Sequence, residues 1–389
     1  MEGRSEALSS PGGRILAVMG TFFVVLLLVL VLLLSLVHHS ITYLGPARDG
    51  PDGARSCFGR CDTEHDGRFP CQCDDGCLIR GECCMDFYLS CDGSSGSTVA
   101  RDFFSFVVGW IRDSYHSFLG PVTDDELRAF AEFLLEMDQN NVGRLLKVNL
   151  QGHISETGED AAPGPLFAGK LPDEVVSIET VSKMMALFNN YKPNTTEPEN
   201  ETSEEKMWQS FLDSVISTPI VKSAHNFLVQ KGAIQDDEAA FEARLRAMWF
   251  DMYPRVNGTS PGSSGFEHVF MGEQRTNSVI GFHGWLFFYA QEQQGRMDYL
   301  GYKAFRNLTD KGILLENSFN WDGKKKPISS MFIGASPELE MALFTVCFVA
   351  RPGLSCPIRL GGEGLHVETH VMEYAGESHV GTAFFNISG

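Results

Sequence analysis

The middle of the chain carries hydrophobic residues at helical spacing. Leu127, Phe130 and Leu134 follow Thr123 and Glu126, which have the form of a capping box, so a helix is predicted to begin there. The same spacing predicts two further helices, over residues 204–216 and 237–252. The acidic stretch 192–205, between the first two of these three helices, is predicted to be a surface loop.

The pattern changes at about residue 265, where short runs rich in aromatic and β-branched residues begin. Such runs predict strands. The predicted strands are residues 279–282, 285–289, 330–333, 343–350, 365–371 and 382–387. A short helix is predicted between them, over residues 336–342.

Residues 15–37 are uncharged and dense in Leu and Val. A run of this length can cross a hydrocarbon core of about 30 Å, whereas the apolar part of a cleaved signal peptide usually has about 7–15 residues. We interpret the run as an uncleaved signal anchor after a cytosolic tail (1–14) and before a stalk (38–55). A long, cleaved signal peptide is the open alternative, and the protein would then be secreted.

Cysteine and asparagine patterns indicate that the rest of the chain lies outside the cytosol. Eight cysteines crowd into a short segment: Cys57, Cys61, Cys71, Cys73, Cys77, Cys83, Cys84 and Cys91. A zinc cluster is the alternative, but the adjacent Cys83 and Cys84 suit a disulfide knot better. Glycosylation sequons begin at Asn194, Asn200, Asn257, Asn307 and Asn386. Together these features predict a type II membrane protein with a lumenal or extracellular main part.

The candidate chemistry depends on two histidines, His268 and His283, in a chain whose formal net charge is -19. An acidic protein does not attract phosphate overall, so a nucleic-acid site would need a local basic spot, and residues 324–326 are three consecutive lysines. With ordinary pKa values near ~6.5, one imidazole can act as a base while the other acts as an acid. Cleavage of RNA through its own 2'-hydroxyl requires this set of groups and a nearby cation, and the chemistry itself requires no metal.

The cysteine segment SCFGRC, CQCDDGC and GECCMDFYLSC resembles a somatomedin B domain, over residues 56–92. The resemblance implies a module that binds an extracellular protein and has no catalytic role. A linker region (93–118) follows.

The segments MDQNN, VNLQG, GFEHVFMGE, GFHGWLFFY, FNWDGKKKPISSMFIGASPELEMALFTVCF and HVET resemble the EndoU family of uridylate-preferring endoribonucleases. The resemblance implies a two-lobed α+β domain over residues 119–389, with a helix-rich amino-terminal lobe and a β-rich catalytic lobe. It also implies cleavage of single-stranded RNA 3' of uridines, with 2',3'-cyclic phosphate ends and an activity that depends on Mn²⁺ or Ca²⁺. A monomer is expected.

The resemblance also assigns roles to individual residues. It implies that His283 is the base, His268 the acid and Lys326 the catalytic lysine. It implies that Ser330 and Thr369 contact the base of the substrate. The alternative for Ser330 is a hydroxyl bonded to the backbone at a strand end.

Glu267 and Glu273 match acidic residues of the family. They would orient His268, raise its pKa or help to hold a cation, and a surface ion pair is the alternative for Glu273.

The chain departs from the family pattern at Val371, where a tyrosine is common, so strand cleavage is better supported than base preference. Cys347 and Cys356 are predicted to form a disulfide in an exterior domain. Two other hypotheses stay open: a non-catalytic surface protein that acts through the cysteine knot, and a metal-dependent hydrolase that uses His268, His283 and Glu267.

Overall fold

The computed structural model describes residues 65–66, 72–74, 84, 122–155, 159–189, 191–194, 201–255 and 261–387, without the side chains of 201–205. The chain divides into two compact units, Met1–Cys73 with Cys84–Cys91, and Asp74–Cys83 with Asp92–Gly389. Within the described ranges no helix has the length and apolar character needed to span a membrane. The predicted anchor, stalk and linker lie outside these ranges.

The first unit shows part of the cysteine knot. The side chain of Gln72 bonds both backbone groups of Asp66, at 3.0 Å and 2.8 Å. The amide of Cys84 donates to the carbonyl of Gln72 at 2.9 Å. Cys73 and Cys84 are buried and each is disulfide-bonded, as the knot prediction requires. The six other predicted knot cysteines lie outside the described residues.

The second unit begins with helices. The first is α1 (Asp124–Met137), and its predicted capping box is present: Thr123 and Glu126 each accept a hydrogen bond from the other's amide, at 3.3 Å and 2.9 Å. The helices that follow in the described ranges are α2 (Asp173–Val176), α3 (Glu179–Leu187), α4 (Glu201–Ile216), α5 (Pro219–Gln230) and α6 (Glu238–Trp249). The predicted helices over 204–216 and 237–252 are confirmed by α4 and α6. Because α4 begins at Glu201, it takes up the end of the predicted acidic loop.

Antiparallel strands dominate the second half of this unit. They are β1 (Glu273–Gln274), β2 (Val279–Ile280), β3 (Met297–Asn307), β4 (Ile313–Trp321), β5 (Lys324–Ile333), β6 (Cys356–Leu360), β7 (Glu363–Tyr374) and β8 (Glu377–Asn386). β1 pairs with β2, and the two larger sheets have the orders β3-β4-β5 and β6-β7-β8. The α+β fold class is therefore confirmed.

Two helices replace predicted strands in this half. Residues 285–289 lie in α7 (Trp285–Gln293), and residues 343–350 lie in α8 (Pro337–Ala350). The predicted helix at 336–342 is the beginning of α8, which continues to residue 350. Both strand predictions are wrong because these helices are apolar on nearly every face, and a fully buried helix has no amphipathic period.

Aromatic packing in the core links α8 to β8 and β8 to β5. The ring of Phe385 on β8 lies 4.9 Å from that of Phe344 on α8 and 5.9 Å from that of Phe332 on β5. The predicted disulfide between Cys347 and Cys356 is confirmed, and it joins α8 to β6. The packing thus places β5 and β8 side by side, and the site described next lies beside these two strands.

Candidate active site

Two backbone hydrogen bonds join the segments that carry the two histidines. The amide of Phe282 donates to the carbonyl of His268 at 2.9 Å, and the amide of His283 donates to the carbonyl of Val269 at 2.6 Å. Gly281 has a φ of 62°, and a Cβ there would lie 1.9 Å from the His268 oxygen. The close approach of the two segments therefore requires glycine at this position.

His268 lies in a π-helical turn, Glu267–Met271, a rare conformation that is frequent at functional sites. Its ring is buried, and Nδ1 lies 2.9 Å from Oε2 of Glu273. Glu273 is 1% exposed and is also bonded by Arg255, whose Nε lies 3.0 Å and 2.9 Å from its two oxygens. The hydroxyl of Ser263 donates to the same carboxylate. Glu273 is thus the residue that orients His268, and its alternative as a surface ion pair is wrong because it is buried.

Burial lowers the pKa of His268, and the positive charges of Arg255 and Lys326 add to this effect. The carboxylate of Glu273 opposes them, and the pKa of His268 stays below its ordinary value. For Glu273 itself, burial raises the pKa, but the opposing interactions with His268, Arg255 and Ser263 are larger, so its pKa is lowered. This carboxylate therefore remains ionised beside the imidazole.

His283 is held in one tautomer. Its Nδ1 lies 2.9 Å from the carbonyl oxygen of Ser330 on β5. Because a carbonyl cannot donate, Nδ1 carries the proton and Nε2 keeps its lone pair. Burial, the charge of Lys326 and then that of His268 lower the pKa of His283 well below its ordinary value, although the Ser330 carbonyl opposes them. At neutral pH this ring is an uncharged base.

Aromatic rings fix the position of His283. The ring of Phe384 on β8 stacks on the imidazole at 5.1 Å and 14°. The preceding residue, Phe282, is fully buried and has a φ of 73°, which is unusual for a residue with a side chain. Its ring packs against Phe319 and Trp321, at 4.9 Å and 5.0 Å. Phe282 and the buried Trp285 thus belong to the core, as their hydrophobicity indicates.

Lys326 lies on β5, four residues before Ser330. It is half-buried, and burial lowers its pKa to about 8. Its charge lowers the pKa of both histidines, and His268 lowers that of His283, so the three groups lie within electrostatic reach of one another. Lys324 has a different role, because its Nζ donates to the side chain of Gln274 at 2.9 Å. The structure therefore brings together the three residues that the sequence assigned to catalysis.

The two predicted base contacts differ in their surroundings. The hydroxyl of Ser330 is buried and has no hydrogen-bond partner among the described residues, which argues against the backbone-bonded alternative. Thr369 is also buried, and its hydroxyl donates to the carbonyl of Arg351 at 3.4 Å. Thr369 pairs with Ala383 across β7 and β8, so it lies on the sheet face opposite to Phe384. Ser330 is thus close to His283, whereas Thr369 points to the other face of its sheet.

The carboxylates of this centre do not fit a divalent cation. Both oxygens of Glu273 are engaged by Arg255, which already supplies the positive charge. Oε2 of Glu267 accepts hydrogen bonds from the amide and hydroxyl of Ser264, at 2.9 Å and 3.0 Å, and so stabilises its own turn. No group of three or more His, Cys, Asp or Glu side chains in the described part of the chain is arranged to hold a metal ion.

Arg255 and Phe384 are site residues that the sequence did not reveal. Arg255 lies in a Pro- and Gly-rich segment without periodicity, and its partner Glu273 is 18 positions away. Phe384 reaches His283 only through the packing of β8 beside β5. For Arg255, the sequence shows only a charged residue in a turn-rich segment shortly before GFEHVF. This pattern does not identify the partner of the arginine.

The comparison with known proteins agrees with this geometry. The family model described as "Endoribonuclease XendoU" matches residues 126–385, and the model of the somatomedin B domain matches residues 55–94. The chain belongs to the XendoU family of endoribonucleases and carries a somatomedin B domain before the family domain.

Several relatives support the assignment. The uridylate-specific endoribonuclease of Mus musculus is 34% identical over 339 residues, which cover 85% of this chain and 77% of the relative. Uridylate-specific endoribonuclease B of Danio rerio is 36% identical over 273 residues, which cover 67% of this chain and 95% of the relative. The solved structure "The structure of XendoU: a splicing independent snoRNA processing endoribonuclease" matches with a TM-score of 0.58 and 30% identity, and covers 68% of this chain and 97% of that one.

Proposed function

We propose that this protein cleaves single-stranded RNA on the 3' side of uridines by transesterification, which leaves 2',3'-cyclic phosphate ends. The observation that carries the proposal is the convergence of His268, His283 and Lys326, with His283 held as a neutral base. A scaffold that only binds a partner has no need of two buried imidazoles beside a half-buried lysine. The geometry therefore favours an enzyme over the non-catalytic alternative.

The reaction follows from the proton positions. Nε2 of His283 takes the proton of the ribose 2'-hydroxyl, and the 2'-oxygen attacks the adjacent phosphorus. The ammonium group of Lys326 stabilises the additional negative charge on the pentacoordinate phosphorus. The imidazolium of His268 gives its Nε2 proton to the departing 5'-oxygen, while Glu273 holds Nδ1. The P–O5' bond breaks as the P–O2' bond forms, and no water is consumed.

The substrate itself helps to protonate the acid. In the free protein the pKa of His268 is below its ordinary value, so most of this imidazole is neutral at pH 7. A bound phosphate brings a negative charge close to the ring, and a negative charge favours the protonated form. Binding of RNA thus prepares His268 for its role.

Two observations support the uridine preference: the relatives are uridylate-specific endoribonucleases, and Ser330 has a hydroxyl that can contact the base. The buried hydroxyl of Ser330 has no hydrogen-bond partner within the described chain and lies on the residue whose carbonyl holds His283, so it is available to a uracil carbonyl or imide group. Val371 offers no ring for stacking.

The cellular setting is the remaining part of the proposal. An amino-terminal anchor at 15–37 would hold the enzyme at a membrane, with its glycosylated domain lumenal or extracellular. The somatomedin B domain would bind an extracellular protein. A Mn²⁺ or Ca²⁺ requirement is compatible with this enzyme. No step of the reaction is assigned to the ion, because Glu267 and Glu273, the carboxylates beside the histidines, are already paired.

Cleavage assays with matched RNAs test the proposal. The full chain, purified in detergent micelles, is offered single-stranded RNAs that differ at one position, uridine, cytidine or adenosine, with Mn²⁺, with Ca²⁺ or with a chelator. We expect cleavage after uridine and a loss of about 10²–10⁴-fold in the His283→Ala variant. Equal inertness of both proteins under all ion conditions would support the non-catalytic hypothesis, and equal cleavage of all three RNAs would remove the uridine preference.

A further inference from the structure

A β-bulge in β8 lies next to the part of the catalytic centre that holds the acid. Across β7 and β8, His370 lies opposite Thr382 and Val371 lies opposite Val380, so Gly381 is one extra residue in β8. A bulge of this kind interrupts the ladder of hydrogen bonds and leaves the extra residue unpaired. The carbonyls of Val380 and Gly381 both accept hydrogen bonds from side chains outside the sheet.

The donors are Tyr253 and Arg255. The hydroxyl of Tyr253 donates to the carbonyl of Val380 at 2.8 Å, and Nη1 of Arg255 donates to the carbonyl of Gly381 at 2.7 Å. Nη2 of Arg255 donates to the hydroxyl oxygen of Tyr253 at 2.7 Å. Tyr253 is fully buried, and burial raises the pKa of its hydroxyl. The hydroxyl therefore keeps its proton and donates to one partner while it accepts from the other.

The Nε group of Arg255 faces the catalytic centre. It lies 2.8 Å from Oγ of Ser263, and 3.0 Å and 2.9 Å from the two oxygens of Glu273, which orients His268. The three guanidinium nitrogens are thus each fixed by a different set of partners. An arginine side chain has many rotamers, so a guanidinium that is bonded only to the carboxylate would not hold that carboxylate in one place. Tyr253 and the bulge therefore define where Arg255 and Glu273 lie.

The backbone of β8 also touches the segment that carries His268. A Cβ at Gly265 would lie 2.8 Å from the carbonyl oxygen of Val380, so the two backbones are in close contact. The amide of Tyr253 donates to the carbonyl of Ser263 at 2.9 Å, just before the same segment. Tyr253 thus lies where the segment of the acid meets β8.

We propose that Tyr253 is a positioning residue for His268, the acid of the reaction, and that it acts through Arg255. This inference rests on the proposed function, in which His268 gives a proton to the departing 5'-oxygen. The hydroxyl of Tyr253 fixes the guanidinium, and the guanidinium fixes the carboxylate of Glu273. The carboxylate in turn holds Nδ1 of His268, so that Nε2 is directed at the leaving group. Because Tyr253 is fully buried, it contacts neither the RNA nor the reacting atoms.

Two substrates with different leaving groups test this role. RNA releases a 5'-oxygen, which needs a proton from the acid, whereas uridine 3'-(4-nitrophenyl phosphate) releases 4-nitrophenolate, which takes the electron pair of the broken P–O bond and needs no proton. In both reactions the P–O2' bond forms and the 2'-hydroxyl proton goes to His283. A misplaced acid therefore slows the cleavage of RNA alone, whereas a general loss of structure slows both reactions.

Tyr253→Phe removes only the hydroxyl and is assayed with both substrates, as the full chain in detergent micelles. We expect kcat for RNA to fall by about 10- to 100-fold, the loss that corresponds to one hydrogen bond with a charged group. The kcat for the nitrophenyl ester should stay at the wild-type value. In Glu273→Gln the path from the hydroxyl to His268 is already broken, so the addition of Tyr253→Phe should cause no further loss.

Tyr299→Phe is the matched control. Tyr299 is 2% exposed, and its hydroxyl donates to the carbonyl of Leu150 at 3.0 Å, so this variant also loses one buried hydrogen bond. Urea unfolding should show a similar destabilisation of the two variants, whereas Tyr299→Phe should keep the wild-type kcat for both substrates.

An unchanged kcat for RNA in Tyr253→Phe would overturn the proposal. Equal slowing of both substrates, or a further loss in the Glu273→Gln background, would overturn it as well. A wild type that cleaves neither substrate would overturn the proposed function, and this inference with it.

Discussion

At the residue scale, the proposed catalysis depends on how each imidazole is held. His283 is fixed through Nδ1 by a neutral carbonyl, whereas His268 is fixed through Nδ1 by an ionised carboxylate. The first arrangement leaves a base and the second favours an acid, because a negative partner favours the charged ring. The division of roles between the two histidines therefore follows from the group that is hydrogen-bonded to Nδ1 of each ring.

Glu273→Gln tests this division through the pH dependence of kcat/KM. In the wild type the acid limb reports His283 and the alkaline limb reports His268, and both pKa values lie below the ordinary 6.5, so the maximum lies on the acid side of 6.5. Glu273 raises the pKa of His268, so its neutralisation should move the alkaline limb to lower pH. The control Glu267→Gln removes a carboxylate that bonds Ser264. The alkaline limb of its kcat/KM profile should stay at the pH of the wild type. An alkaline limb that does not move in Glu273→Gln would show that His268 is not the acid.

Lys326→Arg tests the role of the lysine charge. Because burial lowers the pKa of Lys326 to about 8, the wild type should lose a second proton from its active form above about pH 8, and kcat/KM should fall more steeply there. Arginine stays charged throughout this range, so the variant should show the shallower fall. Lys326→Met should lose about 10²–10³-fold in kcat at every pH. If arginine and lysine give the same profile above pH 8, the charge of Lys326 does not support the reaction.

At the element scale, the close backbone contact between the π-helical turn that carries His268 and the segment at Gly281 positions His283. Gly281→Ala places a methyl group on the His268 carbonyl and forces a side chain into left-handed backbone, so both folding stability and cleavage should fall. Gly295→Ala is the matched control, because Gly295 has a φ of 70° but no atom lies within 4 Å of the position that a Cβ would take there. It should lose only the roughly 1–2 kcal/mol of backbone strain, with kcat unchanged. Equal destabilisation of the two variants in urea unfolding would remove the steric argument.

The elements also show what the sequence predicts and what it does not. The capping box and the stripe of Leu127, Phe130 and Leu134 predict α1 because a helix with one buried face has a periodic sequence. α7 and α8 carry no such period, since their apolar residues are buried all round, and their aromatic runs resemble strands. The catalytic residues are predicted through long ordered motifs. The contacts of Arg255 and Phe384 come from packing between distant segments, which no local pattern encodes.

At the scale of the whole molecule, the chain combines an acidic nuclease domain with a cysteine knot and a predicted anchor. A net charge of -19 repels RNA in general, so the basic groups beside the histidines must select the phosphate locally. The sequons supply a test of the prediction that this domain is lumenal or extracellular.

Asn307 and Asn386 should differ in glycosylation. Asn307 is exposed at the end of β3, and its Oδ1 accepts from the amide of Thr309, which leaves Nδ2 for a glycan. Asn386 is half-buried, and its Nδ2 donates to Glu368 at 3.3 Å. The proteins are expressed in animal cells, and their masses are compared before and after glycanase treatment. Asn307→Gln should carry one glycan fewer than the wild type, and Asn386→Gln should carry the same number. A wild type without any glycan would place the domain in the cytosol.

In the proposed reaction, two imidazoles and a lysine promote the attack of the RNA's own 2'-hydroxyl on the adjacent phosphorus. The most direct measurement is phosphorus NMR of the products from an oligonucleotide with a single ribouridine, compared with the same oligonucleotide carrying 2'-deoxyuridine. We expect a 2',3'-cyclic phosphate signal from the ribouridine substrate and no cleavage of the deoxy substrate. Cleavage of the deoxy substrate, or a 3'-phosphate formed without a cyclic precursor, would contradict this mechanism.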